Sequence, residues 1–407
     1  MLEVRSLVNP LKSIVTDHQK GPVITGIKLT PVFVPFHSHV REIMEASGGL
    51  GMAIPAEEPW PGVDAVICEL TSEDGSSGLG EALVWLPETG VSMAQVIDAV
   101  QCCLGKYVLG QSPFYVELIR HRMDINIARS EVAKGLLDMA CYDLMGRITG
   151  RSASDFMGGR VLEKVPLAAL IPLADPEKMV ELAVFFHDEG YTSFRLKLGR
   201  SIDDDVKTMA LMRKTLGPEI RIRVDYNQAY NRAATAIRAI KAIEPYGLDY
   251  AEQPVRNGDY LGMAAVQKRV DAPLMAHEDC FSLTDIATLI ELQAIGVVGL
   301  NPERPGGVTA ALRALDYAEM RGLGAVLHSQ PLGIASAMLI HLAAARHYQL
   351  GHATELFGQV MIEDDLITEP IDYSGGSAGI PEGPGWGITL DRDALDKYAT
   401  GPAAVIR

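Results

Sequence analysis

The chain has 407 residues, with 36 Lys and Arg against 52 Asp and Glu, which gives a net charge of −16 at pH 7. This acidic balance argues against a nucleic-acid or anionic-membrane partner, because both require basic patches on the protein. A hydrophobic content of 48% with 22% charged residues is typical of a folded globular protein, and the length predicts two domains or a barrel with an attached domain.

The N-terminal residues 1–20 are polar and lack both the apolar segment and the small-residue cleavage site of a secretory signal. We interpret them as an extension. No apolar run approaches the roughly 18 residues of a membrane span. The five cysteines are odd in number and lack metal-ligand spacing, so we expect reduced thiols in a cytoplasmic protein. They are Cys68, Cys102, Cys103, Cys141 and Cys280.

The sequence pattern of residues 21–155 predicts a small sheet followed by helices. Two strand-like stretches, VITGIKLTPVFVPF and AVICELTSEDGSSGLGEALV, flank the Gly- and Pro-rich segment ASGGLGMAIPAEEPWPG, which is too long for a simple hairpin turn. The stretch SEVAKGLLDMACYDLMGRITG then has apolar residues at helical spacing.

From about residue 156 to 365 short apolar strands alternate with longer helical stretches, a pattern typical of parallel βα units. After Lys197, successive predicted strands end in polar residues that lie 23 to 28 positions apart, close to the length of one barrel unit. These are Asp225, Glu252, Glu278, Asn301, His328 and Glu355. Because the carboxyl ends of all strands meet at one mouth of a (β/α)₈ barrel, we expect these side chains to form one site.

Three of these residues, Asp225, Glu252 and Glu278, are carboxylates that would repel one another unless a cation lies between them. Hard oxygen ligands with open positions for water and substrate favour Mg²⁺, with Mn²⁺ as an alternative. Salt bridges to nearby arginines and lysines are the competing explanation for such carboxylates. The register of all three with a lysine favours the metal site.

The strand FRLKLG carries Arg195 and Lys197 two positions apart, so both point to the same face. Arg195 stays charged at every relevant pH. Together with the metal it is expected to lower the pKa of Lys197, which leaves part of the amine neutral and able to take a proton.

Several motifs together resemble the enolase superfamily, and within it the mandelate racemase/muconate lactonizing enzyme group. They are AKGLLDMACYDLMGRITGRSASDFMGG, FRLKLG, VDYNQAY, AEQPV, RPGGVT and the C-terminal run from TELFG to GIPEGPGWGITLD. The resemblance implies a (β/α)₇β barrel at 156–365 and an α+β capping domain built from 21–155 and the C-terminal segment 366–407.

The resemblance also implies the chemistry. Asp225, Glu252 and Glu278 would bind an essential Mg²⁺, and Lys197 would remove the proton α to the carboxylate of a small-molecule substrate, the metal stabilising the resulting enediolate. Glu355 resembles the acid on the eighth strand that hydrogen-bonds the substrate. Members of the family are usually symmetric oligomers, and we expect a homo-oligomer here.

Departures from the family pattern bear on the reaction. The family's Lys-x-Lys appears as Arg195-Leu196-Lys197, and Asn301 replaces the lysine or aspartate of the sixth strand. His328 matches the seventh-strand histidine of racemases and sugar-acid dehydratases. With an amide partner, which would accept a hydrogen bond from its ring, His328 is expected to be a weaker base and a readier acid. This favours a hydroxy-acid or sugar-acid dehydratase, ahead of a racemase or epimerase and then a muconate-type cycloisomerase.

Further residues are assigned around this centre. Asn227 and Gln253 are expected to hydrogen-bond around the metal ligands. Lactonizing relatives place an acidic ligand at the position of His277, which leaves the third ligand open. The loop 37–60 is expected to select the substrate, with the candidates His37, His39, Arg41, Glu42 and Trp60.

Two hypotheses come from other classes. A barrel aldolase would use Lys197 to form a Schiff base and would not need three carboxylates. A non-catalytic binding scaffold would bind Mg²⁺ without turnover.

Overall fold

A computed structural model describes residues 21–46, 61–329, 332–356 and 358–407. The substrate-loop candidate Trp60 lies outside these ranges. Within these ranges no helix combines the length and the apolar character that crossing a membrane would require.

The capping domain is organised by a four-stranded antiparallel sheet with the order β14-β1-β2-β3. Strand β1 buries apolar side chains at every second position in two stretches, first Ile27 and Leu29 and then Val32 and Val34, as the period of a strand requires. The edge strand β14 comes from the extreme C-terminus and pairs Ile406 with Ile27. The strands are β1 (Ile24–Pro35), β2 (Gly62–Ser72), β3 (Ser77–Leu83) and β14 (Ala404–Ile406).

Five α-helices lie in the described part of residues 21–155. They are α1 (Ser38–Ala46), α2 (Leu86–Thr89), α3 (Met93–Ala99), α4 (Val116–Asn126) and α5 (Glu131–Thr149). Helix α5 is buried on nearly every side because it lies between the sheet and the barrel. Two glycines of β3 allow this close packing: a Cβ built on Gly80 would lie 2.4 Å from the carbonyl oxygen of Leu136, and one on Gly78 would lie 2.4 Å from that of Ala140.

The second domain is a barrel of eight parallel strands, β5 to β12, ordered consecutively around the ring. Its first and last strands meet through a bridge between Leu167 and Thr354, which closes the ring. The strands are β5 (Ala168–Ile171), β6 (Ser193–Lys197), β7 (Arg221–Asp225), β8 (Ala251–Glu252), β9 (Leu274–Ala276), β10 (Val297–Leu300), β11 (Gly324–Ser329) and β12 (Glu355–Leu356).

One helix follows each of the first seven barrel strands, so the predicted (β/α)₇β architecture and its capping domain are confirmed. These helices are α6 (Pro176–Asp188), α7 (Ile202–Leu216), α8 (Ala233–Ile243), α9 (Tyr260–Gln267), α10 (Leu283–Glu291), α11 (Val308–Met320) and α12 (Gly333–Ala345). Further elements of the described ranges are α13 (Gly358–Met361), α14 (Arg392–Tyr398) and a small ribbon of β4 (Lys164–Pro166) with β13 (Ser377–Gly379).

Buried side chains of the capping domain bind backbone groups of the barrel. The Glu81 carboxylate of β3 accepts hydrogen bonds from the N–H groups of Leu332 (2.6 Å) and Ala335 (3.0 Å) at the start of α12. On α5, Asp138 accepts from the N–H of Thr309 at 3.0 Å. These contacts satisfy helix N-termini that would otherwise carry unpaired donors, and they hold the cap over the barrel mouth.

Candidate active site

The barrel register brings the predicted site residues together at the carboxyl ends of the strands. Lys197 pairs with Asp225 across β6 and β7, Asp225 pairs with Glu252, and His328 pairs with Glu355 across β11 and β12. The eight predicted residues with catalytic or metal-binding roles, Arg195 included, are all at most 7% exposed. The mouth therefore contains an unusually dense set of buried charges.

Arg195 is the central cation of this set. Its Nε donates to Glu252 Oε2 at 2.9 Å, and its Nη1 donates to Glu355 Oε1 at 2.8 Å. Its Nη2 donates to Glu252 Oε1 at 2.5 Å and also to Asp225 Oδ2. One guanidinium thus joins the acids of strands β7, β8 and β12.

Lys197 donates from Nζ to Asp225 Oδ2 at 2.5 Å and to Asn227 Oδ1 at 2.6 Å. This contact is a buried salt bridge between Lys197 and Asp225. The two cations, Arg195 and Lys197, lower the pKa of Asp225 although burial opposes the shift. Asp225 is consequently a carboxylate at neutral pH.

Glu278 is the least compensated acid of the site. Its Oε1 accepts from the side-chain nitrogens of Asn227 at 3.2 Å and Gln228 at 3.4 Å, whereas its Oε2 is buried with no hydrogen-bond partner among the described residues. Burial and the nearby Asp225 raise the pKa of Glu278 well above its usual range. Burial also raises the pKa of Glu252, to about 7. The cluster therefore favours an additional positive charge.

Asn301 occupies a different place from the one predicted. Its amide oxygen faces Nε (3.2 Å) and Nη2 (3.3 Å) of Arg304, and its amide nitrogen donates to the backbone carbonyl of His328 and to His277 Nε2 at 3.1 Å. The opposite orientation would set the NH₂ group against the donors of Arg304. The expectation that Asn301 accepts a hydrogen bond from the His328 ring is corrected accordingly: its ring partner is His277.

This contact determines the tautomer of His277. Because Nε2 accepts a hydrogen bond from Asn301, the neutral ring carries its proton on Nδ1. That atom lies 3.4 Å from Glu252 Oε1 and 3.5 Å from Glu278 Oε2, so the N–H points towards the two carboxylates. Burial and the charge of Arg304 lower the pKa of His277 well below its usual range, which keeps the ring neutral.

His328 presents a free ring nitrogen to the site. Its Nε2 is buried and has no hydrogen-bond partner among the residues described, and its ring lies 3.9 Å from the ring of His277 between centroids. Burial, followed by the charge of Arg195, lowers the pKa of His328 well below its usual range. At neutral pH His328 is therefore an uncharged imidazole that can accept a proton.

Glu355 is held by two arginines, of which sequence reasoning assigned only one to the site. Besides Arg195, Arg223 donates from Nη2 to Glu355 Oε2 at 3.3 Å and from Nη1 to the carbonyl of Ala353 at 2.7 Å. Arg223 precedes Asp225 by two positions on β7, so the period of a strand already placed it on the same face. Arg304, which sets the orientation of Asn301, also had no predicted role.

The two residues predicted to surround the metal ligands differ in their contacts. Asn227 touches three site residues: its backbone N–H donates to Asp225 Oδ1 at 2.8 Å, and its side chain bonds Lys197 and Glu278. The Gln253 side chain instead fixes the strand that follows, since its Oε1 accepts from the N–H of His277 at 3.1 Å and its Nε2 donates to Asp279 at 2.8 Å.

The described candidates of the 37–60 loop lie at the start of α1, away from these contacts. The rings of His37 and His39 stack with centroids 5.5 Å apart, and the N–H of His37 donates to the carbonyl of Met361 at 2.9 Å. Arg41 lies 4.0 Å from Glu363, while Glu42 is exposed. Their role in substrate selection stays a prediction.

The site fits a divalent cation by its chemistry. Asp225, Glu252 and Glu278 supply hard oxygen donors, and the orphaned Glu278 Oε2 and its raised pKa show a local excess of negative charge. Among the described residues, a set of ligand atoms that all lie within 4.8 Å of one another belongs instead to Glu252, His277 and His328. The proton on His277 Nδ1 argues against that set, because a ligating nitrogen must be unprotonated.

A cavity of about 460 Å³ lies beside Glu278 between the cap and the barrel. It is lined by the start of α5, by α2 and α3, and by loops following β8 and β9. Acidic side chains outnumber basic ones along its wall, with Glu88, Glu131 and Asp285 set against Arg129. The cavity is therefore continuous with one of the predicted metal ligands and has a predominantly acidic wall.

A (β/α)₇β barrel with buried acids, a lysine and a histidine at its mouth and a domain closing over it defines a class of barrel enzymes that act on small molecules. Residues 178–394 match the family described as enolase C-terminal domain-like, and residues 62–158 match the mandelate racemase/muconate lactonizing enzyme N-terminal domain. The chain belongs to this group of the enolase superfamily, as its motifs indicated.

Two relatives of the chain are isomerases by name. An N-succinyl-L-Arg/Lys racemase of Bacillus cereus is 30% identical over 82% of this chain and 89% of its own length. Its crystal structure superposes with a TM-score of 0.85 over 95% of this chain and 100% of that one, at 27% identity. A muconate cycloisomerase of Acinetobacter lwoffii is 27% identical over 83% of this chain and 89% of its own length.

A third relative bears on the cofactor. The crystal structure of a dipeptide epimerase of Enterococcus faecalis, complexed with Mg and the dipeptide L-Leu-L-Tyr, has a TM-score of 0.80 at 25% identity and covers 90% of this chain and 99% of that one. The present chain is an enzyme of the same superfamily, and Mg²⁺ is typical of the family.

Proposed function

We propose that this protein racemises or epimerises a small carboxylate by moving the proton on the carbon next to the carboxylate, with Lys197 and His328 serving the two faces of that carbon. Asp225, Glu252 and Glu278 would hold the Mg²⁺. The observation that carries the proposal is the placement of Lys197 on the second barrel strand and His328 on the seventh. Counted the short way around the eight-stranded ring, their strands are three positions apart, and four positions is the largest separation possible. Lys197 and His328 therefore approach the mouth from nearly opposite sides.

Inverting a stereocentre in this way requires one group that carries a proton and one that does not. Lys197, paired with Asp225 and Asn227, is the proton donor in the state described. His328 is the acceptor, because its buried ring is neutral and its Nε2 is unpartnered among the described residues. The two roles exchange for the opposite enantiomer.

The remaining side chains bind and orient. When bound, Mg²⁺ supplies the positive charge that stabilises negative charge developing on the substrate carboxylate. Arg195 and Arg223 hold Glu355 in place at the mouth. Asn227 fixes Lys197 and Glu278 relative to each other.

Dehydration, which the sequence favoured, fits the site less well. That reaction must start from a His328 imidazolium that protonates a departing hydroxyl, whereas inversion of one enantiomer can start from the neutral ring that burial favours. The named relatives are a racemase, an epimerase and a cycloisomerase. We therefore place proton transfer at a single carbon ahead of dehydration.

Two relatives indicate where to look for the substrate. Their names specify an N-succinyl amino acid and a dipeptide, both of which carry an acylated or amino-bearing carbon next to a carboxylate. The cavity beside Glu278 has room for the side chain of such a molecule. We propose N-acyl amino acids and dipeptides as the substrate class.

The test is a library of single-enantiomer N-acyl amino acids and dipeptides incubated with the protein and Mg²⁺ in D₂O. NMR follows loss of the α-hydrogen, and chiral chromatography follows inversion. We expect loss of the α-hydrogen and inversion to occur with the same compound. Lys207→Ala is the matched control, because Lys207 is an exposed lysine paired with Glu177 on a barrel helix, and it should retain full activity. Sugar acids with hydroxyls at the α and β carbons are incubated in parallel, and a keto acid formed from them without any inversion in the library would support dehydration instead.

A further inference from the structure

We infer that Arg195 is a built-in cation that occupies the place of the divalent ion between Asp225 and Glu252, so that the guanidinium and the metal compete for the same oxygens. The inference rests on the proposed metal site. It goes beyond it by assigning to Arg195 control over how tightly that site binds metal.

The geometry converges on a single nitrogen. Arg195 Nη2 bonds both Asp225 Oδ2 and Glu252 Oε1, which are oxygens of two of the three predicted ligands. Nε of the same guanidinium bonds the second oxygen of Glu252 at 2.9 Å. A cation between two carboxylates is what a bound Mg²⁺ would itself provide.

The oxygens of these two acids are fully engaged within the protein. Asp225 Oδ1 accepts the backbone N–H of Asn227, and Oδ2 accepts Arg195 and Lys197. Both oxygens of Glu252 accept Arg195. Of the six carboxylate oxygens of Asp225, Glu252 and Glu278, only Glu278 Oε2 lacks a hydrogen-bond partner among the described residues. An arriving ion therefore meets one open oxygen and must break charge-assisted hydrogen bonds to reach the other two acids.

The identity of the residue matters because arginine and lysine hold carboxylates differently. The planar guanidinium presents a rigid fork that binds two acids at once, whereas an ammonium is a flexible point charge. The family's Lys-x-Lys has lysine at this position, and here Arg195 replaces it. The substitution is expected to hold the acids together without metal and to weaken metal binding.

The test measures metal affinity by calorimetry on the full chain, titrating Mg²⁺ and, separately, Mn²⁺ in the absence of substrate. Arg195→Lys should bind the ion about tenfold to a hundredfold more tightly than the natural protein, the size expected for losing one or two charge-assisted hydrogen bonds. Metal-free Arg195→Lys should also melt at a lower temperature and gain more from added Mg²⁺.

Arg223→Lys is the matched control. Arg223 is also buried and bonds Glu355, and among the described residues its side-chain hydrogen bonds go to Glu355 and to the carbonyl of Ala353 rather than to Asp225 or Glu252. Its replacement should change the dissociation constant by less than about twofold. Equal changes in the two variants would show a general charge effect and overturn the inference, as would an unchanged or weaker affinity in Arg195→Lys.

A second variant tests the competition without relying on the folding of Arg195→Lys. Arg195→Ala should also bind Mg²⁺ more tightly, and millimolar methylguanidinium should weaken that binding competitively while leaving the natural protein unaffected. If methylguanidinium has no effect, the competition is refuted. If the natural protein racemises its substrate and binds Mg²⁺ as tightly as Arg195→Lys does, the inference is rejected and the proposed function stands. Failure of every variant to bind metal would reject the inference together with the metal site.

Discussion

The side-chain amide of Asn301 lies 3.1 Å from Nε2 of His277 and turns its oxygen to Arg304. A position that carries an acid or a base in the family is here an amide whose two ends are both engaged. It donates to one histidine ring and fixes which nitrogen of that ring is protonated. The resulting N–H faces two of the predicted metal ligands, Glu252 and Glu278.

This relationship predicts the effect of Asn301→Asp. A carboxylate accepts but does not donate, so the proton of His277 should move from Nδ1 to Nε2. Long-range ¹⁵N–¹H NMR of histidine-labelled protein distinguishes the two tautomers. Replacing His328 with Asn should leave the His277 tautomer unchanged. Natural protein already protonated at Nε2 would contradict the assignment.

His341 predicts a pH-dependent stability away from the site. It is 1% exposed, its Nε2 bonds the carbonyl of Trp386 at 3.1 Å, and burial lowers its pKa to about 4. The folded chain therefore requires the neutral ring. The stability this confers is full above the unfolded pKa near 6.5 and is lost as pH falls through the folded value. The loss approaches about 3 kcal/mol.

His341→Gln isolates that contribution, because glutamine can still donate to the carbonyl but does not titrate. Urea unfolding at pH 7.5 and pH 4.5 gives the difference between the two proteins at each pH. We expect the free energy of unfolding of the natural protein, relative to that of His341→Gln, to be smaller at pH 4.5 than at pH 7.5. A difference that stays constant across this range would exclude His341 as the cause.

Gly80 predicts a packing defect between the cap sheet and α5. A Cβ at this position would lie 2.4 Å from the backbone oxygen of Leu136, too close for any rotamer to relieve. Gly80→Ala should lower the free energy of unfolding by about 1–3 kcal/mol, as overpacking typically does. Gly401→Ala is the control, since the nearest atom to its Cβ is 3.9 Å away. Equal stability of the two variants in urea unfolding would show that β3 and α5 can move apart without cost.

The sequence was sufficient to predict the barrel and most of the residues at its mouth. Parallel strands must end at the same face, so regular spacing from Lys197 to Glu355 was enough to bring distant residues together. Strand alternation also predicts that Arg223, two residues before Asp225, lies on the same face of β7, although no role was assigned to it.

Contacts between loops and side chains were harder to predict. The partner of Asn301 depends on where the rings of His277 and His328 and the fork of Arg304 lie in space, and no sequence spacing encodes that. The same holds for Glu81, whose carboxylate binds an N–H group 251 positions away. The central place of Arg195 required knowing that three acids lie within reach of one guanidinium.

The central claim is that Lys197 and His328 each serve one face of the substrate carbon. The direct measurement is α-hydrogen exchange in D₂O, followed separately for each enantiomer of a turned-over substrate, with Lys197→Ala and His328→Asn. We predict that each variant loses inversion by at least about a hundredfold. We also predict that each retains exchange of only one enantiomer, and that the two variants retain opposite ones. Loss of exchange for both enantiomers in one variant and for neither in the other would contradict the account.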